Sequence, residues 1–249
     1  MTTYHPTVKE QITNRVVKGI TVLLSRVDAP LLDSVPTEGP LILVTNHINF
    51  LEAPILYTRL APRPITGYAK IESWDNQYLG WLFDVWGVIP IHRGEADKTA
   101  IKAGLKALKD GYILSIAPEG TRSRAGTLKR GQPGVVLLAI LSGAPLLPIG
   151  HYGHQNYKDA FRNIKRTPFS AVVGQPFKLK KRDKKITSEV RQEITDEIMY
   201  QIAALLPPSH RGEYSDLSKS ASVITSSFQP DSLETSRMFC PCRPIAIAS

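Results

Sequence analysis

The chain of 249 residues is poor in cysteine: only Cys240 and Cys242 occur, and both lie near the C-terminus. Two cysteines cannot form a disulfide framework or a zinc site by themselves, so the sequence excludes a disulfide-stapled secreted scaffold. Hydrophobic residues make up 42% and charged residues 21% of the chain, which is enough apolar material for one α/β core and excludes wholesale disorder.

Long hydrophobic runs are also missing. The longest apolar stretch, 135–149, is interrupted by Ser142, Gly143 and Pro145, and it is shorter than the roughly 18 residues that a bilayer crossing needs. The first residues show no positive segment followed by an apolar one, so we expect no secretory signal peptide. These absences predict a cytoplasmic protein without a transmembrane span, which can still lie on a membrane surface.

Acidic residues are outnumbered, since 22 Asp and Glu against 31 Lys and Arg give a net charge of +9. A basic balance of this size favours a polyanionic partner: nucleic acid, an anionic membrane surface or a phosphorylated substrate. A nucleic-acid-binding protein would bind in a steeply salt-dependent manner. The chain has no RRM, KH, zinc-finger or basic-zipper signature, so we expect no nucleic-acid partner.

Two segments carry apolar residues at helical spacing and leave two interpretations open. The first, Lys9 to Val27 within the N-terminal segment 1–30, predicts a basic amphipathic helix. This helix either packs on the domain or lies in the plane of a membrane surface. The second segment carries Trp74, Tyr78, Trp81 and Val85, which form either a core face or an aromatic belt or acyl-chain wall at a lipid interface.

Residues 31–206 alternate between β-rich runs and helical patterns. The predicted strands are 41–45, 65–69, 88–91, 112–116, 145–149 and 170–173, and the predicted helices include 98–109, 135–141 and 188–206. This alternation predicts a single α/β domain with a mostly parallel central sheet flanked by helices. From Pro207 the chain loses its periodicity and becomes rich in Ser, Thr and Pro, so we predict that 207–249 is a disordered tail.

The first candidate site follows the predicted strand 41–45. His47 stands directly after that strand and Glu52 follows five residues later. A carboxylate that accepts a hydrogen bond from the Nδ1–H of a histidine fixes the tautomer in which Nε2 can take a proton from a substrate. On a regular helix, five residues rotate two side chains about 140° apart, so the pairing requires a turn between them.

Three further segments follow predicted strands. Arg93 ends a strand-like run, and a guanidinium there suits bidentate capture of a phosphate. The segment 117–124 places a carboxylate, a glycine, two hydroxyls and two arginines directly after the strand 112–116. The hydroxyl, backbone N–H and guanidinium groups are the donors that a phosphate needs, and the glycine allows close backbone approach. The segment 143–150, which contains Pro148, is predicted to be a proline-rich strand edge that shapes an apolar wall.

In this order, Asn-His-x-x-x-x-acid, Gly-x-x-x-x-x-Arg, Pro-Glu-Gly-Thr-Arg-Ser and Pro-Leu-Leu-Pro-Ile resemble motifs one to four of the glycerolipid acyltransferases. The closest match is to the 1-acyl-sn-glycerol-3-phosphate (lysophosphatidic acid) acyltransferases, and it covers about 41–174. The Pro-Glu-Gly-Thr-Arg-Ser segment is its most specific element.

The resemblance implies an enzyme that moves a fatty acyl group from acyl-CoA or acyl-carrier protein to lysophosphatidic acid or a related lysophospholipid. It implies no cofactor and no metal, and a peripheral position on the cytoplasmic side of an anionic membrane. His47 is then the general base and Glu52 orients it. The residues implied for phosphate binding are Arg93, Glu119, Gly120, Thr121 and Arg122, and Pro148 lies by the acyl-binding region.

One residue departs from the family pattern. The acid of motif one is usually Asp, whereas this chain has Glu52, whose extra methylene lengthens its reach by about 1.5 Å. Active-site geometry is sensitive, since misplacement by about 1 Å can lower a rate about a hundredfold. The alternative interpretation is therefore a catalytically weak lipid-binding protein on the same scaffold.

Overall fold

The computed structural model describes residues 4–92, 97–123, 125–179, 187–221 and 228–229. The helices are α1 (Val8–Leu24), α2 (Glu52–Leu60), α3 (Gln77–Val85), α4 (Lys98–Lys109), α5 (Gly134–Ser142), α6 (Tyr157–Arg162) and α7 (Ser188–Ala204). The strands are β1 (Ser25–Asp28), β2 (Leu41–Thr45), β3 (Ile65–Lys70), β4 (Ile89–Ile91), β5 (Ile113–Ile116), β6 (Leu146–Tyr152), β7 (Thr167–Val173), β8 (Lys178–Leu179) and β9 (Phe228–Gln229).

Seven strands form the central sheet in the order β1-β7-β6-β2-β5-β3-β4. Adjacent strands run parallel except for the antiparallel pair β6 and β7. This sheet and its flanking helices confirm the predicted fold class. Strand β2 lies at the centre between β5 and β6, with Val44 opposite both Ile116 and Pro148. The loops that follow these three strands therefore share one edge of the sheet.

Alternation along the buried strands divides the core into two layers. Ile42 and Val44 point into a cluster with α4, α5 and α7, whereas Leu41 and Leu43 point into a cluster with α2 and the end of α3. Strand β2 is buried along its whole length, as expected for a parallel strand covered by helices on both faces. The helix α2, which the sequence pattern did not predict, begins at Glu52 and supplies much of the second layer.

The structure differs from the sequence prediction just after residue 206. Residues 208–210, 212–214 and 217–221 form three short 3-10 helices. Tyr214 is buried, its hydroxyl donates to Asp196 Oδ1 at 2.7 Å, and its ring packs edge-on against Tyr200. Residues 207–221 therefore belong with the domain because an aromatic anchor fixes them to α7. The remainder of the predicted tail, apart from β9, lies outside the described residues.

Within the described residues, no helix is both long enough and apolar enough to cross a bilayer.

Candidate active site

The turn between β2 and α2 brings His47 and Glu52 together. Nδ1 of His47 lies 2.5 Å from Oε2 of Glu52, while Oε1 of Glu52 accepts the backbone N–H groups of Ile48 at 2.7 Å and Asn49 at 2.5 Å. The carboxylate thus binds both the histidine ring and the backbone of the turn. Since an ionised carboxylate only accepts hydrogen bonds, Nδ1 carries the hydrogen and Nε2 is free to take a proton. The His47 side chain is 29% exposed, so a substrate can approach it.

Glu52 is ionised although it is buried. Burial by itself raises the pKa of this carboxyl, but the imidazole of His151 and the hydrogen bonds from His154 and His47 more than offset that effect and leave its pKa well below the ordinary value. Burial has the opposite effect on a histidine, and it lowers the pKa of His151 to about 4 despite the nearby carboxylate. The site therefore combines a buried anion with a neutral imidazole at pH 7.

The loop after β5 holds the backbone of His47 from both sides. Glu119 Oε1 accepts the His47 N–H at 2.8 Å, and the Ser123 N–H donates to the His47 carbonyl oxygen at 2.6 Å. The other oxygen of Glu119 accepts the Lys129 N–H at 3.0 Å. Three fixed points, two on the backbone and one on the ring, therefore orient His47.

Glu119 is buried, and burial raises its pKa to about 7 although both backbone hydrogen bonds act in the opposite direction. Its contacts in the structure are with backbone N–H groups, and a carboxylate repels a phosphate. The geometry thus fits a residue that positions the turn around His47. The contact between Glu119 and phosphate that the sequence implied stays a prediction.

The other predicted phosphate-binding residues lie on the outside of the same loop. Gly120, Thr121 and Arg122 are exposed, and Gly120 has a φ of +67°, which favours glycine. The carbonyl oxygen of Arg122 accepts a hydrogen bond from Lys129 Nζ at 3.1 Å, which ties the backbone of the loop at that residue. Arg93 follows β4 but lies outside the described residues.

Pro148 lies inside the sheet rather than at its edge. It is buried in β6 opposite Val44 of β2, and its carbonyl oxygen accepts the Gly174 N–H at 2.9 Å. Gly174 also packs closely, because a Cβ built there would lie 2.8 Å from Pro148 Cγ. The predicted proximity of Pro148 to an acyl chain stays a prediction.

Sequence reasoning missed two histidines. We assigned nothing to His151 and His154, but both are fully buried beside Glu52, with His154 Nε2 at 3.1 Å from Oε1 and His151 Nε2 at 3.9 Å from Oε2. The signal is a His-x-x-His pair that directly follows motif four. Its meaning depends on the strand order, because only the pairing of β6 with β2 brings the two histidines to motif one.

Two asparagines that follow β2 form hydrogen bonds with the backbone of the two histidines. Asn46 Nδ2 donates to the carbonyl oxygen of His151 at 2.8 Å, and its Oδ1 accepts the His151 N–H at 2.9 Å. Asn49 Nδ2 donates to the carbonyl oxygen of His154 at 2.8 Å. Each asparagine side chain is buried and pairs with backbone 105 residues away, so the histidine pair is held in register with the His47 turn.

The same cluster has the donor set of a metal site. Glu52, His151 and His154 each offer one ligand atom, and these atoms lie within 4.8 Å of one another. A carboxylate with two imidazoles is a donor set that zinc uses. Both oxygens of Glu52, however, already accept hydrogen bonds from the turn and the imidazoles.

A comparison with protein families decides the assignment. The model of the family described as Acyltransferase matches residues 26–152, which is half of the chain. The chain belongs to the acyltransferase family. The matched region contains the His47–Glu52 pair, the loop after β5 and Pro148, whereas His154 lies just beyond it.

Individual relatives of this acyltransferase agree with the family match. A 1-acyl-sn-glycerol-3-phosphate acyltransferase of Bacillus subtilis is 28% identical over 145 residues, covering 58% of this chain and 70% of the relative. A protein of the same name from Pseudomonas aeruginosa is 31% identical over 149 residues, covering 59% and 55%. The matches thus span between half and three quarters of the length of these two curated relatives. They confirm the family that the four motifs resemble.

A solved structure shares the fold. The crystal structure of the 1-acyl-sn-glycerophosphate acyltransferase PlsC from Thermotoga maritima aligns with a TM-score of 0.56 over 76% of each chain at 18% sequence identity. At that identity, the likeness concerns the arrangement of sheet and helices.

Proposed function

We propose that this acyltransferase moves an acyl group from acyl-CoA or acyl-carrier protein to the free hydroxyl of lysophosphatidic acid, giving phosphatidic acid. The observation that carries the proposal is the His47–Glu52 pair, fixed by Glu119 and Ser123 at the edge of the sheet. Relatives named for the same reaction support the choice of acceptor.

The chemistry follows from the orientation of His47. Nε2 takes the proton of the acceptor hydroxyl while its oxygen attacks the thioester carbonyl carbon, and Glu52 stabilises the imidazolium that forms. The tetrahedral intermediate then collapses, the C–S bond breaks, and the thiolate recovers the proton from His47. Because a thioester is already activated, the reaction needs no covalent enzyme intermediate and no metal ion in this mechanism.

The phosphate of the acceptor is proposed to bind the exposed part of the loop after β5. Thr121 and Arg122 are exposed beside the clamp that holds His47, so a phosphate there would lie close to the hydroxyl that reacts. Arg122 supplies charge-assisted hydrogen bonds, the strong kind for phosphate. Arg93, by its place in motif two, is proposed as the second cation.

An acceptor series tests this assignment. Thiol release is measured with palmitoyl-CoA or palmitoyl-carrier protein and either lysophosphatidic acid or the matched monoacylglycerol, which lacks phosphate. We expect turnover with lysophosphatidic acid and a KM for it that rises about 10- to 100-fold in Arg122→Ala, the range for a lost charge-assisted hydrogen bond, with kcat less affected. Arg59→Ala, an exposed arginine at the far end of α2, is the matched control.

Equal use of both acceptors, with Arg122→Ala unchanged, would contradict a phosphate-binding role for the loop. Turnover with only one donor would identify which thioester the enzyme uses.

We further propose that α1 docks on an anionic membrane. Its apolar stripe faces outward, because the residues buried against the domain are Thr13 and Thr21, whereas Leu23 is 73% exposed. This orientation favours the membrane-surface interpretation over packing on the domain. The exposed stripe consists of Val8, Ile12, Val16, Ile20 and Leu23.

The stripe continues at both ends of α1. At its start, Lys9 Nζ lies 5.3 Å from the ring centroid of Trp81, and both Trp81 and Tyr78 are exposed. These two exposed rings favour the aromatic-belt interpretation, whereas Val85, the last residue of the same pattern, is buried in the core. At the end of α1, Arg166 donates a hydrogen bond to the Ser25 carbonyl oxygen at 2.7 Å. This bond holds the loop after α6 next to the last residue of α1.

That loop combines an apolar tip with cations. Ile164 is 96% exposed and has a φ of +53°, an unusual conformation for a β-branched residue. The exposed cations Arg162, Lys165 and Arg166 flank it in the sequence. An apolar tip flanked by positive charge suits the boundary between acyl chains and anionic headgroups.

The pairing of strands supports a docking surface near the proposed catalytic edge. Ser25 lies opposite Thr167, and β7 runs antiparallel to β6, so the start of β7 extends beyond the carboxyl ends of β6 and β2. His47 follows β2 at that same edge. A membrane docked on α1 and Ile164 would therefore deliver a lysophospholipid on the side from which His47 is reached.

Vesicle binding tests the docking surface. Leu23→Glu should weaken binding to vesicles that contain phosphatidic acid by at least about tenfold, because burying a leucine contributes about 1.5–3 kcal/mol and a carboxylate is repelled by the lipid. Thr37→Glu adds the same charge at an exposed position on a loop before β2 and is the control. Equal binding of Leu23→Glu and wild-type protein, measured by vesicle sedimentation, would contradict the proposed surface.

A further inference from the structure

Four hydrogen-bond donors converge on the carboxylate of Glu52. Three of them come from the turn that contains His47: the His47 ring and the N–H groups of Ile48 and Asn49. The fourth is Nε2 of His154, which lies 102 residues away in the chain and 3.1 Å from Oε1. The three local donors already connect Glu52 to its own turn, so the contact with His154 raises the question of a separate role for that imidazole.

The ring of His154 is held from several sides. It is fully buried, with its centroid 4.8 Å from the ring of Phe169 and 5.1 Å from that of His151. Its backbone carbonyl oxygen is fixed by Asn49, as described above. Nδ1 of His154 has no hydrogen-bond partner among the described residues, whereas Nε2 faces an ionised oxygen. Nε2 therefore carries the hydrogen and donates it to Glu52.

The length of the acidic side chain decides whether this contact exists. The carboxylate of Glu52 spans two imidazoles, with Oε2 toward His47 and Oε1 toward His154. An aspartate at the same position has the same carboxylate on a stem shorter by about 1.5 Å, so on the same backbone its oxygens would be drawn back from the two imidazoles. The longer reach of Glu52 thus brings its carboxylate to a histidine that lies beyond the family-matched region.

We propose that His154 is a positioning residue that anchors Glu52, so that Oε2 is presented to Nδ1 of His47. This inference rests on the proposed acyl transfer, because it assigns His154 a role in the same dyad. His151 packs behind the pair, and its Nε2, 3.9 Å from Oε2, lies beyond hydrogen-bond distance. Its ring stacks on Phe169, with the two centroids 5.7 Å apart.

The experiment places two His154 substitutions in two backgrounds. His154→Leu removes the donor, and His154→Gln keeps an N–H donor; each is made with Glu52 and with Glu52→Asp. With Glu52, we expect His154→Leu to lower kcat about 10- to 100-fold, the range for a lost hydrogen bond to a charged group. KM should change little, and His154→Gln should restore much of the rate. With Glu52→Asp, where the contact to His154 is already lost, His154→Leu should lower kcat by less than about threefold, because two residues that act through one contact are not additive.

A second readout does not depend on turnover. The short hydrogen bond between His47 Nδ1 and Glu52 should give a strongly deshielded proton in the NMR spectrum, which we expect to shift upfield in His154→Leu and to remain in place in His154→Gln. His5→Asn, an exposed histidine outside the site, should leave kcat and this signal unchanged. Thermal unfolding of each variant shows whether it is folded.

Three outcomes would overturn the proposal. An equal loss of kcat in both backgrounds would mean that His154 acts through packing on Phe169. A signal that stays unchanged in folded His154→Leu would mean that His154 does not position Glu52. Loss of activity on chelation, with recovery on adding Zn²⁺ alone, would make the cluster a metal site. If wild-type protein turns over no acceptor, the proposed function fails, but the NMR signal still tests the role of His154.

Discussion

Replacing His47 by alanine is expected to lower kcat by about three orders of magnitude, within the range that general-base catalysis contributes. The substitution removes the nitrogen that takes the proton of the acceptor hydroxyl. It leaves the backbone clamps in place, because Glu119 and Ser123 contact the N–H and carbonyl groups of residue 47 rather than its ring. The fold and the binding of vesicles should therefore survive.

The measurement is acceptor-dependent thiol release in detergent micelles, with vesicle binding and thermal unfolding measured alongside. Turnover in His47→Ala at the wild-type rate would show that His47 is not the base. A different result concerns the wild-type chain: if it binds vesicles but consumes no thioester with any lysophospholipid, the catalytically weak lipid-binding protein is the correct interpretation.

The second large effect is expected for Glu52→Gln, which keeps the shape and removes the charge. An amide offers one acceptor oxygen in place of two, so it cannot accept from the turn, His47 and His154 together. An amide N–H directed at Nδ1 of His47 would also favour the wrong tautomer. We expect kcat to fall by about two to four orders of magnitude, as for other orienting carboxylates beside a general base.

Glu52→Gln should also change stability in a pH-dependent way. In the folded protein the pKa of Glu52 is depressed below its ordinary value of 4.5, so the ionised group stabilises the fold fully above that value, and this contribution is lost as the pH falls below it. At pH 7 we expect the variant to lose about 3 kcal/mol in the free energy of unfolding, because buried donors lose a charged partner.

Urea unfolding of both proteins at neutral and at acidic pH measures this difference, which should shrink in acid. Glu72→Gln, at an exposed carboxyl, is the control. A difference that stays constant with pH would show that the glutamate contributes through packing alone and not through its charge.

The larger elements of the fold were predictable from local patterns. The strand 41–45 and the helix 98–109 have the predicted bounds because each carries its own start and stop signals: Gly39 and Pro40 before the strand, and Asp97 and Asp110 at the helix ends. The helix α2 was not predicted, since its first residue, Glu52, was taken as part of the motif-one loop. Glu52 is both the first residue of this helix and the residue whose carboxylate orients His47.

Within the candidate site, the sequence predicted the contact inside one motif but not the contacts between motifs. Motif one placed His47 and Glu52 near each other, and the order of the motifs suggested that the loop after the strand 112–116 lies beside them. The contacts of Glu119 with the backbone of residues 47 and 129 could not be predicted, because they depend on how the loop turns back. His154 was invisible for a related reason, since only the order of strands brings it to Glu52.

The sequence by itself determined the α/β class, because periodicity is a local property of the chain, and the resemblance of its four motifs indicated an acyltransferase with a histidine–carboxylate pair. Tertiary structure alone decided which face of α1 is buried. The apolar stripe from Val8 to Leu23 is visible in the sequence, but it turns outward because α1 packs on the domain through Thr13 and Thr21. Tertiary structure also decided what surrounds the buried anion, because desolvation and long-range hydrogen bonds exist only once β6 lies beside β2.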